Sequence, residues 1–262
     1  MLFESGPNLS KGEGTISTGH HVTIFRSAIF FLWFALVSAV LAILFLPALA
    51  APRAATVWMS RLWSRLNLWG LRVFAGIGFE VRGTVPRDGV LVASKHMSMW
   101  DTMALYLTLD DPAVVLRRSL LRIPFYGWYV AKAGSIPIDR DGRAGALRQM
   151  AAAAKAALAG GRTVLIFPEG TRKKPRAPAD YKPGVAGLYG QLGVACYPAA
   201  LNSGQFWTGF VKRPGRIVLE FLEPIPPGLR SRDFMRVLED RIENATAGLV
   251  AEGEILLGGA RP

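Results

Sequence analysis

The longest apolar stretch of the chain lies near its N-terminus. Residues 27–52 contain no charged side chain, and this run includes the strongly apolar segments 29–34 and 41–46. About 20 apolar residues are enough to cross the hydrocarbon core of a bilayer, so the stretch predicts a membrane helix. A cleaved signal peptide is the alternative, because Ala48-Leu49-Ala50 resembles a small-residue cleavage site, although the apolar run is longer than such peptides carry.

An amphipathic pattern follows directly after this run. Its apolar residues recur every three or four positions, which is the spacing of one helical face. These residues are Trp58, Leu62, Leu66, Trp69 and Val73, and an adjacent face carries Arg61, Arg65 and Arg72. Tryptophan and arginine beside a spanning segment are typical of a helix that lies at the bilayer surface, whereas an ordinary core helix has the same periodicity.

Three regions are therefore expected along the chain. Residues 1–23 are polar, and no regular structure is predicted for them. Residues 24–76 are predicted to form the membrane-anchoring helices. Residues 77–262 are predicted to form one α/β domain.

Short apolar runs alternate with helical patterns throughout the third region. The predicted strands are residues 89–94, 135–138, 163–167, 194–201 and 216–221. The predicted helices are residues 100–109, 143–159, 184–193 and 234–249. This alternation predicts a largely parallel central sheet with helices on both faces, and polar sites in such sheets collect at the carboxyl ends of strands.

The charge of the chain is strongly basic, with 31 Lys and Arg against 19 Asp and Glu and a net charge of +12. Nucleic acids, anionic lipids and phosphorylated substrates all suit such a balance. The sequence contains no long Lys/Arg tract and no nucleic-acid-binding motif, so no nucleic-acid partner is expected.

Compartment and orientation follow from two further features. Arginines 53, 61, 65 and 72 outnumber the basic residues just before the apolar run, which places the C-terminal region in the cytoplasm, at the inner membrane. Hydropathy fits both a spanning helix and a monotopic hairpin. Cys196 is the only cysteine, so the chain cannot form an intrachain disulfide, as expected of a protein in a reducing compartment.

The first polar cluster follows the strand predicted at residues 89–94. His96 lies there, and Asp101 comes five residues later, early in the next predicted helix. One short turn can bring this carboxylate to the imidazole, where it would fix the tautomer and leave Nε2 as a base for an alcohol proton. The alternative is a structural histidine beside a helix-capping aspartate.

The second cluster, residues 167–172, follows the strand predicted at residues 163–167. Gly170 lets backbone amides approach a ligand, Thr171 supplies a hydroxyl, and Arg172 supplies a bidentate group for phosphate. Basic residues continue to Arg176, and a solvated basic loop is the alternative interpretation.

A third cluster, residues 134–140, ends in Arg140, a second candidate for phosphate binding. The alternative is that Asp139 simply pairs with Arg140.

The motifs of several other enzyme classes are absent. The sequence contains no Gly-x-Ser-x-Gly elbow, no Walker A motif and no His-Glu-x-x-His zinc motif. No metal or other cofactor is therefore expected. A His–Asp pair without a credible nucleophile favours direct transfer of an acyl group to an alcohol over a covalent enzyme intermediate.

Together these motifs resemble the lysophosphatidic acid acyltransferase family, also called 1-acylglycerol-3-phosphate acyltransferases. The resemblance covers about residues 83–224 and rests on the order of four motifs. These are His96-x4-Asp101, residues 134–140, residues 167–172 and the apolar, proline-containing run 197–201. Lys95 departs from the family pattern, which more often has a small or amide residue there, and its charge could act on His96 or contact a phosphate.

The resemblance implies a reaction and a set of partners. His96, oriented by Asp101, would deprotonate the sn-2 hydroxyl of lysophosphatidic acid. The hydroxyl would then attack an acyl thioester of CoA or acyl carrier protein and give phosphatidic acid. The partners would be the bilayer, the lysophospholipid acceptor and the thioester donor.

The resemblance also implies roles for the remaining motif residues. Arg172, with Gly170 and Thr171, would hold the substrate phosphate, and Arg140 would assist. Glu169 would organise the loop that carries them.

Three other functions compete with this one. Relatives with the same motifs acylate other lysolipids, including lyso-ornithine lipid. A catalytically silent lipid-binding protein could keep the fold, although the intact His96–Asp101 pair favours an enzyme. A phospholipase-like hydrolase would use water as the acceptor and release free fatty acid.

Overall fold

The structure is a computed structural model that describes residues 13–87, 89–139 and 143–258. Two long helices form its N-terminal part: α1 (Glu13–Leu44) and α2 (Arg53–Ala75), joined by the 3-10 turn Leu46–Leu49. The backbone of α1 thus extends to Glu13, which corrects the expectation of no regular structure for residues 13–23. The remainder of that expectation, residues 1–12, lies outside the described residues.

Helices α1 and α2 pack against each other in opposite directions. The Trp33 indole donates to the carbonyl of Leu66 at 3.1 Å, and the Trp63 indole donates to Ser38 Oγ at 2.9 Å. The rings of Phe45 and Trp58 lie 5.6 Å apart near the connecting turn. Because later residues of α1 meet earlier residues of α2, the pair forms an antiparallel hairpin.

The segment Gly19–Leu44 of α1 is long and apolar enough to cross a membrane, and the mean hydropathy of its most apolar 18 residues is 2.5. Only 22% of these 18 residues are buried. The exposed apolar side chains include Leu32, Leu36 and Ile43. A core helix of a soluble protein would instead be buried on most of its surface.

Helix α2 has two different faces. Its tryptophan face is exposed, with Trp58, Trp69 and Val73 each about half accessible. The opposite face, including Met59 and Leu71, is buried against the rest of the protein. The predicted amphipathic helix therefore exists, and it directs its Trp-bearing face outwards.

A mixed, mostly parallel sheet forms the centre of the rest of the chain. Its strands are β1 (Ile77–Arg82), β2 (Leu91–Ser94), β3 (Ala113–Arg117), β4 (Ile136–Ile138), β5 (Val164–Ile166), β6 (Cys196–Leu201) and β9 (Gly215–Phe221). Among the described residues the strand order is β1-β9-β6-β2-β5-β3-β4, and only β6 and β9 pair antiparallel. A two-stranded hairpin lies apart from this sheet and consists of β7 (Trp207–Thr208) and β8 (Val211–Lys212).

Helices cover both faces of this sheet. The helices that follow α2 are α3 (Met99–Thr108), α4 (Tyr126–Lys132), α5 (Arg143–Ala159), α6 (Gly184–Leu192), the short α7 (Ser203–Phe206) and α8 (Ser231–Gly258). Successive residues of β2 point to opposite faces, so Val92 packs in a core with α1, α2 and α3, whereas Leu91 and Ala93 pack in a core with α5, α6 and α8. The predicted largely parallel sheet flanked by helices is confirmed.

Every predicted strand and helix of the α/β region is present, including the strand at residues 89–94, which is β2. The strands at residues 135–138, 163–167, 194–201 and 216–221 correspond to β4, β5, β6 and β9. Strands β1 and β3 and helix α4 were not predicted, and α8 is longer than expected.

A close approach of α1 and α2 gives a test of their packing. A Cβ atom added to Gly70 would lie 2.3 Å from the Trp33 indole, so the indole must move. We expect Gly70→Ala to lower the free energy of unfolding by about 1–3 kcal/mol, although alanine favours helices, because overpacking outweighs propensity. Thermal unfolding in detergent measures the effect.

Gly190→Ala is the matched control. Gly190 also lies inside a helix, and a Cβ there meets nothing within 4 Å. This change should be neutral or stabilise by about 0.5–1 kcal/mol. Equal stability changes in the two variants would contradict the close packing of Trp33 on Gly70.

Candidate active site

The loop between β2 and α3 carries His96. Strand β2 ends at Ser94, and α3 begins at Met99 after its N-cap residue Ser98. The Asp101 carboxylate lies in the first turn of α3 and accepts the backbone N–H of Ser98 at 2.8 Å, as in a capping box. This cap folds the loop back, so that Nδ1 of His96 lies 2.9 Å from Oδ2 of Asp101.

Donors surround the fully buried Asp101 carboxylate. Oδ2 also accepts the backbone N–H of Met97 at 2.6 Å, and Oδ1 accepts the hydroxyls of Ser98 and Ser203. Burying a carboxylate is costly unless its oxygens are satisfied, and here both are. With Asp101 on Nδ1, the proton of the neutral imidazole lies on that nitrogen and Nε2 is left as an acceptor.

The loop after β5 lies beside His96 because β5 pairs with β2 in parallel. The Phe167 ring stacks on the imidazole, with ring centroids 4.0 Å apart. Gly170 turns the chain with a φ of 61°, a backbone conformation that favours glycine. The backbone N–H of Lys173 then donates to the carbonyl of His96 at 2.8 Å, so the two loops are joined directly.

Buried charges lie behind these loops. Glu169 is fully buried and accepts the backbone N–H of His96 at 3.1 Å. Its second oxygen lies 2.8 Å from the Lys95 ammonium, which also contacts Glu243 at 2.7 Å. Burial raises the pKa of the Glu169 carboxyl, and the Lys95 ammonium opposes that rise.

These contacts correct one of the two expectations for Lys95, its contact with a phosphate. Its side chain is only 2% exposed and is held between two carboxylates, so it does not reach a phosphate in the cavity in front of His96. The sequence could not reveal this pairing because Glu243 lies 148 residues later in the chain.

A cavity of about 860 Å³ opens in front of His96. Its lining includes Arg117, Arg172 and Lys182, which supply positive charge, and Gly170 and Thr171 beside them. A cavity with these cations next to a histidine can bind an anionic group while a neighbouring hydroxyl faces the imidazole.

A second cavity of about 600 Å³ lies between the N-terminal helices, α3 and α4. Most of its lining is apolar, including Phe34, Met59 and Met103. Tyr126 and Arg172 line both cavities, so the apolar space adjoins the positively charged one.

The structure places most of the sequence-predicted site residues together. His96, Gly170, Thr171 and Arg172 line the first cavity, and Asp101 and Glu169 support His96 from behind. Arg140 lies outside the described residues. The functional roles of all these residues stay predictions at this point.

Sequence reasoning missed Arg117, Lys182 and Ser203. Arg117 ends β3, and its guanidinium donates to the carbonyl of Gly170 at 3.2 Å. The apolar run before it, residues 113–116, was a strand signal that could have placed it at the same sheet edge. No local pattern marks Ser203, which reaches Asp101 from 102 residues away.

Comparison with known proteins agrees with this architecture. The family model described as Acyltransferase matches residues 78–202, which include both loops of the site. The structure resembles the crystal structure of the 1-acyl-sn-glycerophosphate (LPA) acyltransferase PlsC from Thermotoga maritima, with a TM-score of 0.68. The match covers 86% of this chain and 96% of that chain at 20% sequence identity, so it concerns the fold alone.

Two curated relatives are closer in sequence. The 1-acyl-sn-glycerol-3-phosphate acyltransferase of Pseudomonas aeruginosa is 40% identical over 59% of this chain and 62% of its own length, a little under two thirds of that enzyme. The 1-acyl-sn-glycerol-3-phosphate acyltransferase alpha of Ovis aries is 31% identical over 78% of this chain and 74% of its own length. The chain therefore belongs to the 1-acylglycerol-3-phosphate acyltransferase family.

Proposed function

We propose that the protein transfers a fatty acyl group from a thioester, acyl-CoA or acyl carrier protein, to the sn-2 hydroxyl of lysophosphatidic acid. The product is phosphatidic acid, a precursor in phospholipid synthesis. The observation that carries the proposal is the His96–Asp101 contact of 2.9 Å at the edge of a cavity that also holds Arg172. The names of the two curated relatives support the choice of acceptor.

His96 acts as the general base in this proposal. Nε2 takes the proton of the acceptor hydroxyl while the oxygen attacks the thioester carbonyl, and Asp101 stabilises the imidazolium that forms. The tetrahedral intermediate then collapses, the carbon–sulfur bond breaks, and the imidazolium returns its proton to the leaving thiolate. The acyl group thus passes directly from the thioester to the acceptor oxygen, and the hydroxyl proton ends on the released thiol. No covalent enzyme intermediate forms.

The acceptor phosphate binds the positive side of the cavity. Arg172 offers a planar guanidinium that can donate two parallel hydrogen bonds, and Thr171 and the backbone at Gly170 lie beside it. Arg117 and Lys182 add charge to the same cavity. Arg140 is proposed to assist, as the family motif implies.

The apolar cavity between α1, α2, α3 and α4 suits a hydrocarbon chain. Its lining is largely aliphatic and aromatic, and it meets the first cavity at Tyr126 and Arg172. In the proposed complex the acyl chain of the lysolipid lies there, with its ester end beside the site. Burial of each methylene contributes about 0.8 kcal/mol, which favours a long chain.

We further propose that residues 24–76 anchor the protein in the inner membrane and that residues 77–262 form the catalytic domain on its cytoplasmic side. The outward apolar face of α1 and the exposed tryptophans of α2 support the anchor. The excess of arginine in and around α2 supports the orientation.

The general-base role is tested with the variant His96→Ala. We expect its kcat for phosphatidic acid formation to fall by at least about a hundredfold, because proton removal by a positioned base contributes about 10²–10⁴ in rate. The assay combines purified protein in liposomes, labelled oleoyl-CoA and lysophosphatidic acid. His21→Ala, an exposed histidine in α1, is the matched control and should keep the parent rate.

The products separate the competing functions. Free fatty acid formed without any need for lysolipid would indicate a hydrolase. Product formed only with lyso-ornithine lipid or another lysolipid would identify that lipid, instead of lysophosphatidic acid, as the acceptor. No product across these acceptors and both thioester donors would contradict the proposal and favour a silent lipid-binding protein.

The phosphate-binding role is tested with Arg172→Ala. We expect KM for lysophosphatidic acid to rise by about 10–100-fold, because a hydrogen bond to a charged group contributes about 1.5–3 kcal/mol. Initial rates at varied acceptor concentration measure the change. Arg236→Ala removes an arginine that is 70% exposed on α8 and should leave KM unaltered. An unchanged KM for Arg172→Ala would place the phosphate elsewhere.

A further inference from the structure

Lys95 precedes His96 and lies in an unusual position for a lysine. Its side chain is 2% exposed, and the residue lines neither of the two cavities. The ammonium lies 2.8 Å from Oε1 of Glu169 and 2.7 Å from Oε1 of Glu243. A lysine removed from water in this way requires paired, hydrogen-bonded partners, and here it has two.

Glu169 links this ammonium to the site. One carboxylate oxygen binds Lys95, and the other accepts the backbone N–H of His96 at 3.1 Å. Because Lys95 and His96 are neighbours in the chain, these contacts close a small ring of covalent and hydrogen bonds. Asp101 holds the imidazole of His96 from the other side at 2.9 Å.

Glu243 connects the same ammonium to helix α8. Its Oε1 also accepts the Tyr181 hydroxyl at 2.9 Å. Burial and the neighbouring Glu243 carboxylate raise the pKa of Tyr181, so this hydroxyl stays a donor. Lys95 is thereby fixed by two elements that are distant in sequence, the loop after β5 and α8.

We propose that Lys95 is a positioning residue: its ammonium keeps Glu169 ionised and oriented, so that Glu169 holds the His96 backbone in the place where the imidazole meets both Asp101 and the substrate hydroxyl. The proposal rests on the proposed role of His96 as the base. Without the ammonium, Glu169 is an unpaired buried carboxylate that must take up a proton or move. Either change loosens its hydrogen bond to the His96 amide.

The variant Lys95→Met keeps the length of the side chain and removes its charge. We expect kcat to fall by about 10–100-fold, because a small displacement of a catalytic group has effects of this size. KM for the acceptor should stay within about threefold of the parent value, since Lys95 lines neither cavity and does not contact the bound substrate. Lys155→Met, the same change at an exposed position of α5, is the matched control and should retain the parent kcat.

A second variant keeps the test informative if Lys95→Met folds poorly. In Lys95→Met/Glu169→Gln the unpaired carboxylate is gone, while an amide oxygen can still accept the His96 N–H. We expect this double variant to recover about tenfold in kcat over Lys95→Met, or to fold where the single variant does not, because the two residues act as one unit. A double variant whose kcat is no higher than that of Lys95→Met would overturn the proposal. A kcat of Lys95→Met within about twofold of the parent, or a loss that appears in KM instead of kcat, would overturn it as well.

Hydrogen exchange tests the same link without turnover. The His96 amide should exchange faster in Lys95→Met than in the parent and return towards the parent rate in the double variant. Unchanged exchange in Lys95→Met would overturn the inference even if activity fell. A parent protein that turns over none of the lysolipids would instead overturn the proposed function, and the exchange result would still decide the role of Lys95.

Discussion

The burial of two carboxylates, those of Asp101 and Glu169, constrains the loops that follow the C-terminal ends of the strands. Both are fully removed from water, so each must be met by donors, and the donors fix the loops around them. His96 is the residue that both share, because one carboxylate holds its ring and the other holds its backbone. The imidazole is therefore oriented before a substrate arrives, which lowers the reorganisation that the reaction requires.

The N-terminal hairpin is part of the same architecture. Helices α1 and α2 expose an apolar surface outwards and line the apolar cavity on the inside. The side that α2 turns inwards also packs on α3, the helix that carries Asp101. The N-terminal hairpin and the candidate site are thus coupled by packing.

Particular residues show what the sequence could and could not predict. Strand β5 was recognisable because it is buried at every position and reads as a continuous apolar run. Strand β1 was missed because it lies at a sheet edge, where burial is partial and the pattern is mixed. His96 and Arg172 were correctly expected near each other, since both follow parallel strands. The pairing of Lys95 with Glu243 was not predicted, because Glu243 comes from α8 and no local pattern predicts a contact over 148 residues.

The protein should discriminate between lysolipid headgroups more strongly than between acyl chains of different length. In the proposed complex the headgroup meets cations, whereas the chain meets an apolar cavity, and the two meet at Tyr126 and Arg172. A site built on charged hydrogen bonds rejects a ligand that leaves its donors unpaired, whereas one methylene in an apolar pocket changes binding by only about 1–3 kcal/mol. Discrimination between headgroups should therefore be sharp and discrimination between chain lengths gradual, because they arise from different physical interactions in adjoining cavities.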